Sequence, residues 1–429
     1  MDYLRGLIGI LLIAAFAFLF SNNRKAIDWK LVGIGISLQI VFGLLITKVA
    51  WVAHLFNGVS GAFVTFLSFS DDGARFLFGD LAGDTFGVIF AFKVLPTIIF
   101  FSTVSAGLYY LGILQKIVFG IAWIMSRTMR LSGSEALSAA GNIFLGQTEA
   151  PLLVRPFVPK MTKSELMCLM TGGMATIAGG VLAGYVAFLG GNDPVMQTKF
   201  AAYLLSASIM NAPAAIVISK IIIPEVEPEK IDRKLKVNQE SLGVNLIDAL
   251  SNGASEGLKL ALNVGGMLLA FIAVIAAINY FLSNVVGDIT GLNAVISSST
   301  DGRFTGFSLE YILGQVFRIF AFVMGVDWSE TLAVGSLLGQ KTVINEFVAY
   351  LGLSEMKTAG LLSSKAIVIS TYALCGFSNF SSIAIQVGGI GGMAPNQQGN
   401  LSKLGMRALL AATLACMMTG TIAGALVVY

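Results

Sequence analysis

The sequence predicts an all-α membrane protein of eight transmembrane helices, two re-entrant helical hairpins and interfacial helices. Three observations carry this. First, 56% of the 429 residues are apolar and only 12% are charged, where a soluble chain carries about a quarter charged. Second, the charged residues cluster, leaving charge-free runs at 6–23, 31–47, 94–115, 166–192, 200–219, 260–287, 366–402 and 408–429. A bilayer-spanning helix needs roughly 20 mostly apolar residues. Third, two further stretches are apolar enough for lipid yet too interrupted to cross it. This composition excludes a soluble enzyme with a single anchor, a secreted domain and a disordered chain. The net charge of +3 comes with no basic block, so no nucleic-acid partner is expected. Cys168, Cys375 and Cys416 are spread through apolar stretches and read as packing residues. One histidine, His54, cannot build a histidine-based metal site.

Taken in order, the first run has features of a signal peptide, with Arg5 before an apolar core and Ala15-Phe16-Ala17 inside it. Its length favours a span. Arg24, Lys25 and Lys30 follow in the first loop and mark it as cytoplasmic. The N-terminus is then expected outside, and eight spans return the C-terminus to the same, periplasmic side. A ninth charge-free run, 49–70, carries a one-sided stripe of Val52, Leu55, Phe56, Val59, Phe63, Phe66 and Leu67. Such a stripe suits a helix lying in the interface plane. Amphipathic stretches also run near 114–130, ending in Arg127 and Arg130, and near 246–262. Residues 223–240 are the strongly polar linker, with about four spans on each side.

The two interrupted stretches are 134–158 and 329–352. Each has a short apolar arm, a polar centre and a second short arm. Arms near ten residues are half a span, so both read as re-entrant hairpins. Irregular backbone at membrane depth is tolerated only inside protein or along a water-filled cavity, so the polar centres mark such a cavity. Gly-Asn-Ile-Phe-Leu-Gly-Gln (141–147) echoes Gly-Ser-Leu-Leu-Gly-Gln (335–340), one in each half. Paired interrupted segments in corresponding halves point to the midplane binding site of a transporter. The rival reading is coincidence over a few letters.

Glu149 and Glu346 occupy the two polar centres. A carboxylate in a membrane segment costs about 2.5–3.5 kcal/mol and usually serves a pathway or a ligand. The structural alternative is an ion pair with Lys341, Lys93 or Arg155. A carboxylate accepts hydrogen bonds from a polyhydroxylated solute, and Gln147 and Thr148 add donors and acceptors beside Glu149. The run 366–402 holds Cys375-Gly-Phe-Ser-Asn-Phe-Ser-Ser382. Asn379 and Ser382 can bond a ligand or act as glue between helices, and Phe377 can stack on a planar group. The run 166–192 holds a glycine-rich stretch around Thr176, suited to close helix contact. Asn142, Thr176 and freed carbonyls together would suit a hard cation. Phosphate-loop and HExxH patterns are absent, and Gly388-Gly-Ile-Gly-Gly392 does not open a nucleotide fold. The chain is therefore not read as an enzyme.

The segments Gly141–Pro151, Gly339–Tyr350 and Cys375–Ile383 resemble the signature segments of the concentrative nucleoside transporters, most closely the bacterial sodium-coupled members. The resemblance implies a homotrimeric, elevator-type inverted-repeat carrier in a bacterial inner membrane, in contact with membrane lipid. Residues 1–110 would be mainly scaffold. Residues 111–222 would be the first repeat half, with hairpin 134–158 and broken span 166–192. Residues 223–300 would hold the linker, an amphipathic helix and scaffold span 260–287. Residues 301–429 would be the second half, with hairpin 329–352, broken span 366–402 and last span 408–429. Gln147, Thr148 and Glu149 would face a uridine-like nucleoside, with Val181 packed on the base. Glu346, Asn379 and Ser382 would hold the ribose, with Phe377 beside them. The side chains of Asn142 and Thr176 and the carbonyls of Leu145 and Ile177 would bind sodium, the coupling ion, with no organic cofactor. Proton-coupled relatives often lack the Asn, so its presence favours sodium. The alternatives are a proton-coupled nucleoside transporter, an elevator carrier for another small polar solute, an intramembrane enzyme and a nucleoside-gated channel.

Overall fold

The computed structural model describes residues 2–83, 89–191, 193–235 and 243–427. Helices α1 (Asp2–Leu19), α2 (Trp29–Lys48) and α3 (Ala50–Phe78) open the chain. Asp28 starts α2 by accepting from the amides of Lys30 and Leu31. Gly6 and Gly9 let α1 lie against the last helix, where added Cβ atoms would sit 2.6 Å from Ala425 Cβ and 2.8 Å from Thr421 Cγ2. The helix expected over 49–70 is longer than its charge-free run. α3 continues through Asp71, Asp72 and Arg75, and by length and composition it is one of eight helices able to cross a membrane among the described residues. Only Ser60, Leu67, Ser70 and Ala74 are buried along it, so one side packs and the remainder faces outward.

α4 (Phe90–Tyr110) and α5 (Ile113–Met129) follow. The first hairpin is α6 (Gly133–Gly141), a tip of turns, and a return arm of two short 3-10 stretches, Ala150–Val154 and Val158–Lys160. A capping box of Ser132 and Glu135 starts α6. Gly141 admits the return arm, since a Cβ there would meet Leu153 at 2.5 Å. The expected span 166–192 is two helices, α7 (Lys163–Ala175) and α8 (Gly179–Gly190), separated by Thr176-Ile177-Ala178. α9 (Pro194–Ile222) begins with Asp193 as cap and Pro194 in its first turn.

The amphipathic stretch near 246–262 and the span 260–287 form one helix, α10 (Leu246–Tyr280), prolonged by a wider π-type stretch over 281–287. Gly253 and Gly257 do not end it because they face the backbone of α4. Cβ atoms there would come within 2.9 Å of the Ser102 carbonyl and 2.8 Å of Ile99 Cα. Short helices α11 (Asp288–Thr290) and α12 (Leu292–Ser299) lead to α13 (Leu309–Val323). The second hairpin pairs α14 (Thr331–Val343) with α15 (Glu346–Thr358). The expected span 366–402 is likewise two helices, α16 (Ser364–Leu374) and α17 (Phe380–Met393). α18 (Gln398–Leu426) begins ten residues before the expected last span, because Lys403 and Arg407 interrupt the charge-free run yet sit exposed on the helix. Helices α7, α8, α9 and α18 are mostly buried, whereas α2, α4 and α10 are mostly exposed. The hairpins and broken helices thus enclose the core, and the exposed helices surround it.

Candidate functional site

Both broken helices are interrupted at one crossing. A broken helix frees the carbonyls of its last turn and the amides of its next first turn, and at membrane depth these need partners. The Phe377 amide donates to the Thr176 carbonyl at 3.3 Å, joining the two breaks directly. Asn211 of α9 donates to the Ala175 carbonyl at 2.8 Å and the Cys375 carbonyl at 2.6 Å. The Cys416 thiol of α18 lies 3.4 Å from the same two oxygens. The Lys341 ammonium, 1% exposed, donates to the Ala373 carbonyl at 2.9 Å. The Gly179 amide at the start of α8 donates to the Phe144 carbonyl in the first hairpin tip. In the second half side chains do this work: Asn345 caps α15 and Asn379 caps α17.

The helix starts gather the predicted polar residues. Glu346 is the first residue of α15, and Glu149 immediately precedes the 3-10 return arm of the first hairpin. The echo between 141–147 and 335–340 is not one of position. Gln147 lies beyond its helix in the tip, whereas Gln340 lies inside α14 and donates to Ser336 at 3.0 Å. What corresponds between the hairpins is a carboxylate where the chain turns into its second arm.

Glu346, 3% exposed, accepts from the Asn379 amide at 2.9 Å and the Tyr185 hydroxyl at 3.0 Å. Its oxygens are therefore held by neutral donors, while the Lys341 ammonium goes to the Ala373 carbonyl. Asn379 is fixed in turn because its oxygen accepts from the Ser382 amide and the Ser381 hydroxyl. Gln147 donates to the Ser382 hydroxyl at 3.1 Å and accepts from Gln386 at 3.2 Å. Gln147, Ser382, Asn379 and Glu346 therefore form one connected set across both halves. Glu149 and Thr148 face a cavity of about 470 Å³, lined also by Phe144, Leu145, Ala178 and Gly180 and, from the surrounding helices, by Phe101, Tyr109, Asn252 and Glu256. That volume suits a small-molecule ligand. Glu346 is not among the residues lining this cavity and is joined to the first hairpin tip through Asn379, Ser382 and Gln147. Phe377 is half-buried at the second break, and Val181 is buried in α8 one residue after Gly180.

The predicted ion ligands meet at the first break. Asn142 is 1% exposed, and neither polar atom of its amide has a hydrogen-bond partner among the described residues. Its amide lies over Gly172, where an added Cβ would be 3.2 Å away, and the Thr176 hydroxyl donates to the Gly172 carbonyl at 2.8 Å. Among the described residues the Leu145 and Ile177 carbonyls accept no hydrogen bond. A buried, unpaired amide costs free energy, and oxygens of this kind suit a hard cation.

Sequence reasoning did not reach Tyr185, Asn211, Gln386, Asn252 or Glu256. A lone amide inside a charge-free run was the available signal for Asn211 and Gln386. Tyr185 carries no such signal, because a tyrosine in an apolar helix is ordinary.

Comparison with known proteins places this geometry. Residues 8–81 and 203–424 match the N-terminal and C-terminal parts described as "Na+ dependent nucleoside transporter", and residues 91–192 match "Nucleoside recognition". The chain is 42% identical to the uncharacterized transporter YutK of Bacillus subtilis, over 99% of each chain. It is also 42% identical to mouse solute carrier family 28 member 3, covering 97% of this chain but only 58% of that protein's length. The chain thus spans about three fifths of such mammalian relatives. Its fold matches CNTnw in an inward-facing substrate-bound state at a TM-score of 0.87, with 37% identity over 99% of this chain and 98% of the other. Outward-facing CNTnw variants match with the same TM-score, so overall likeness does not select a state. The chain belongs to the concentrative, Na+-dependent nucleoside transporter family.

Proposed function

We propose that the chain imports nucleosides across a bacterial inner membrane, driven by an inward sodium gradient, through elevator-type alternating access. The observation that carries this reading is the connected set Gln147–Ser382–Asn379–Glu346 beside a cavity that Glu149 faces. Two carboxylates, two amides and a hydroxyl are acceptors and donors for a ribose and a base edge. An anionic solute would call for Arg or Lys here. Sodium, as co-transported cargo, would take the unpaired Asn142 amide, the Thr176 hydroxyl and the carbonyls of Leu145 and Ile177, all reached without protonating a carboxylate. One sodium moving through about 100 mV supplies roughly 2.3 kcal/mol, and a tenfold ion gradient adds about 1.4 kcal/mol. Together these sustain about a 500-fold nucleoside gradient.

In this reading the hairpins, broken helices, α9 and α18 form the moving body, and α2, α4 and α10 belong to the scaffold. α10 exposes Leu262 and Leu269, an apolar face for lipid or for further copies in a homotrimer. Both termini lie on the periplasmic side, as Arg24, Lys25 and Lys30 imply. The test is vesicle uptake of a nucleoside panel in sodium, potassium and low-pH buffers. Uridine uptake rises with inward sodium, and Glu149→Gln or Glu346→Gln abolishes it. Uptake driven equally by low pH without sodium would move the reading to proton coupling. Uptake indifferent to both substitutions would remove the site assignment.

A further inference from the structure

We infer that Tyr185 is a positioning residue for Glu346 and that it sets how strongly the carrier demands ribose hydroxyls. The inference rests on the nucleoside-transport reading and deepens it at one atom.

A free carboxylate side chain samples several rotamers, and two hydroxyls of a ribose can be met only if it is held in one. Here two donors take one lone pair from each oxygen, the Asn379 amide on Oε2 and the Tyr185 hydroxyl on Oε1. A carboxylate offers about four acceptor sites, so these two donors leave capacity for a ligand. Asn379 is anchored as the cap of α17. Tyr185 is anchored differently. Its ring is fully buried and stacks on Tyr350, with centroids 4.3 Å apart and planes 25° apart. It also meets the Phe347 ring edge-on at 5.0 Å. Tyr350 is fixed by donating its own hydroxyl to the Thr371 carbonyl at 2.8 Å. The phenol therefore has no freedom to turn away. Tyr185 sits on α8, in the first half of the chain, and Glu346 on α15, in the second. One hydroxyl thus fixes the carboxylate of one half from the broken helix of the other.

The test compares KM for uridine with KM for 2′,3′-dideoxyuridine in the unaltered chain, Tyr185→Phe and Tyr350→Phe. Tyr185→Phe keeps the stacked ring and removes only the hydroxyl. The expected result is a uridine KM about tenfold higher with the dideoxyuridine KM unchanged, so the preference for the ribose collapses. Tyr350→Phe, which removes a hydroxyl that donates to the Thr371 carbonyl and not to Glu346, shifts both substrates alike. A uridine-to-dideoxyuridine ratio in Tyr185→Phe equal to that of the unaltered chain would overturn the inference, whether both KM values rise or neither does. Failure of the unaltered chain to take up any nucleoside would instead overturn the functional reading beneath it.

Discussion

Gly376→Ala probes the crossing of the two broken helices. A Cβ at Gly376 would lie 2.6 Å from the Ala175 carbonyl oxygen, 2.8 Å from its carbon and 2.8 Å from Cys416 Sγ. Ordinary contact begins near 3.4 Å, so the two breaks must separate by about 0.8 Å, the difference of those distances. Two of the three neighbours are backbone and cannot rotate aside. The Ala175 carbonyl is also one of the two oxygens that Asn211 bridges at 2.8 and 2.6 Å, and a shift of that size breaks one bond. A buried carbonyl left without its donor costs about 1–3 kcal/mol, and the added methyl in a packed site about 1–3 kcal/mol more. The expected destabilisation is therefore about 2–6 kcal/mol. Gly388 has nothing within 4 Å of its Cβ position, so Gly388→Ala on α17 is the matched control. Thermal unfolding of the detergent-solubilised protein measures both. Gly376→Ala melts well below the parent and transports poorly, while Gly388→Ala stays close to it. Equal melting temperatures for the two variants would refute the contact between the breaks.

The remaining predictions address the ion, the buried lysine and the base of the first hairpin. Asn142→Leu and Thr176→Val raise the sodium concentration needed for half-maximal uridine uptake, whereas Thr176→Ser, which keeps the hydroxyl, does not; a sodium titration of uptake at fixed uridine reads this. Lys341→Met leaves the Ala373 carbonyl without its ammonium donor and costs about 1–3 kcal/mol, seen as a lower melting temperature with the chain still inserted in membranes. Glu135→Gln breaks the buried pair with Lys220, whose side chains are 2% and 8% exposed. Breaking such a pair costs about 3–5 kcal/mol, so yield in the membrane falls sharply, and a yield equal to the parent would show that the pair is not structural.

Amino-acid order alone made legible the membrane class, the two interrupted stretches and the carboxylate in each, whereas the breaks within 166–192 and 366–402 were expected only from the family resemblance. The former are legible because lipid punishes polar groups: any polar centre within an apolar run must sit in protein or water. The same logic marked Asn142 and Asn379. Helix ends were less legible. α18 starts early because exposed Lys403 and Arg407 interrupt the letters without interrupting the helix. α10 absorbs two predicted pieces because its glycines face a neighbour's backbone. Tertiary structure alone decided which groups satisfy the freed backbone and which fix the carboxylate. Asn211, Cys416 and Tyr185 lie 36 to 241 positions along the chain from the partners they hold. No local pattern encodes such a pairing, since it depends on two helices breaking at the same point in space. The tertiary structure also left Glu346 out of the lining of the cavity that Glu149 faces. The physical reason is that sequence records the cost of burying a polar group, whereas only packing records which partner relieves it.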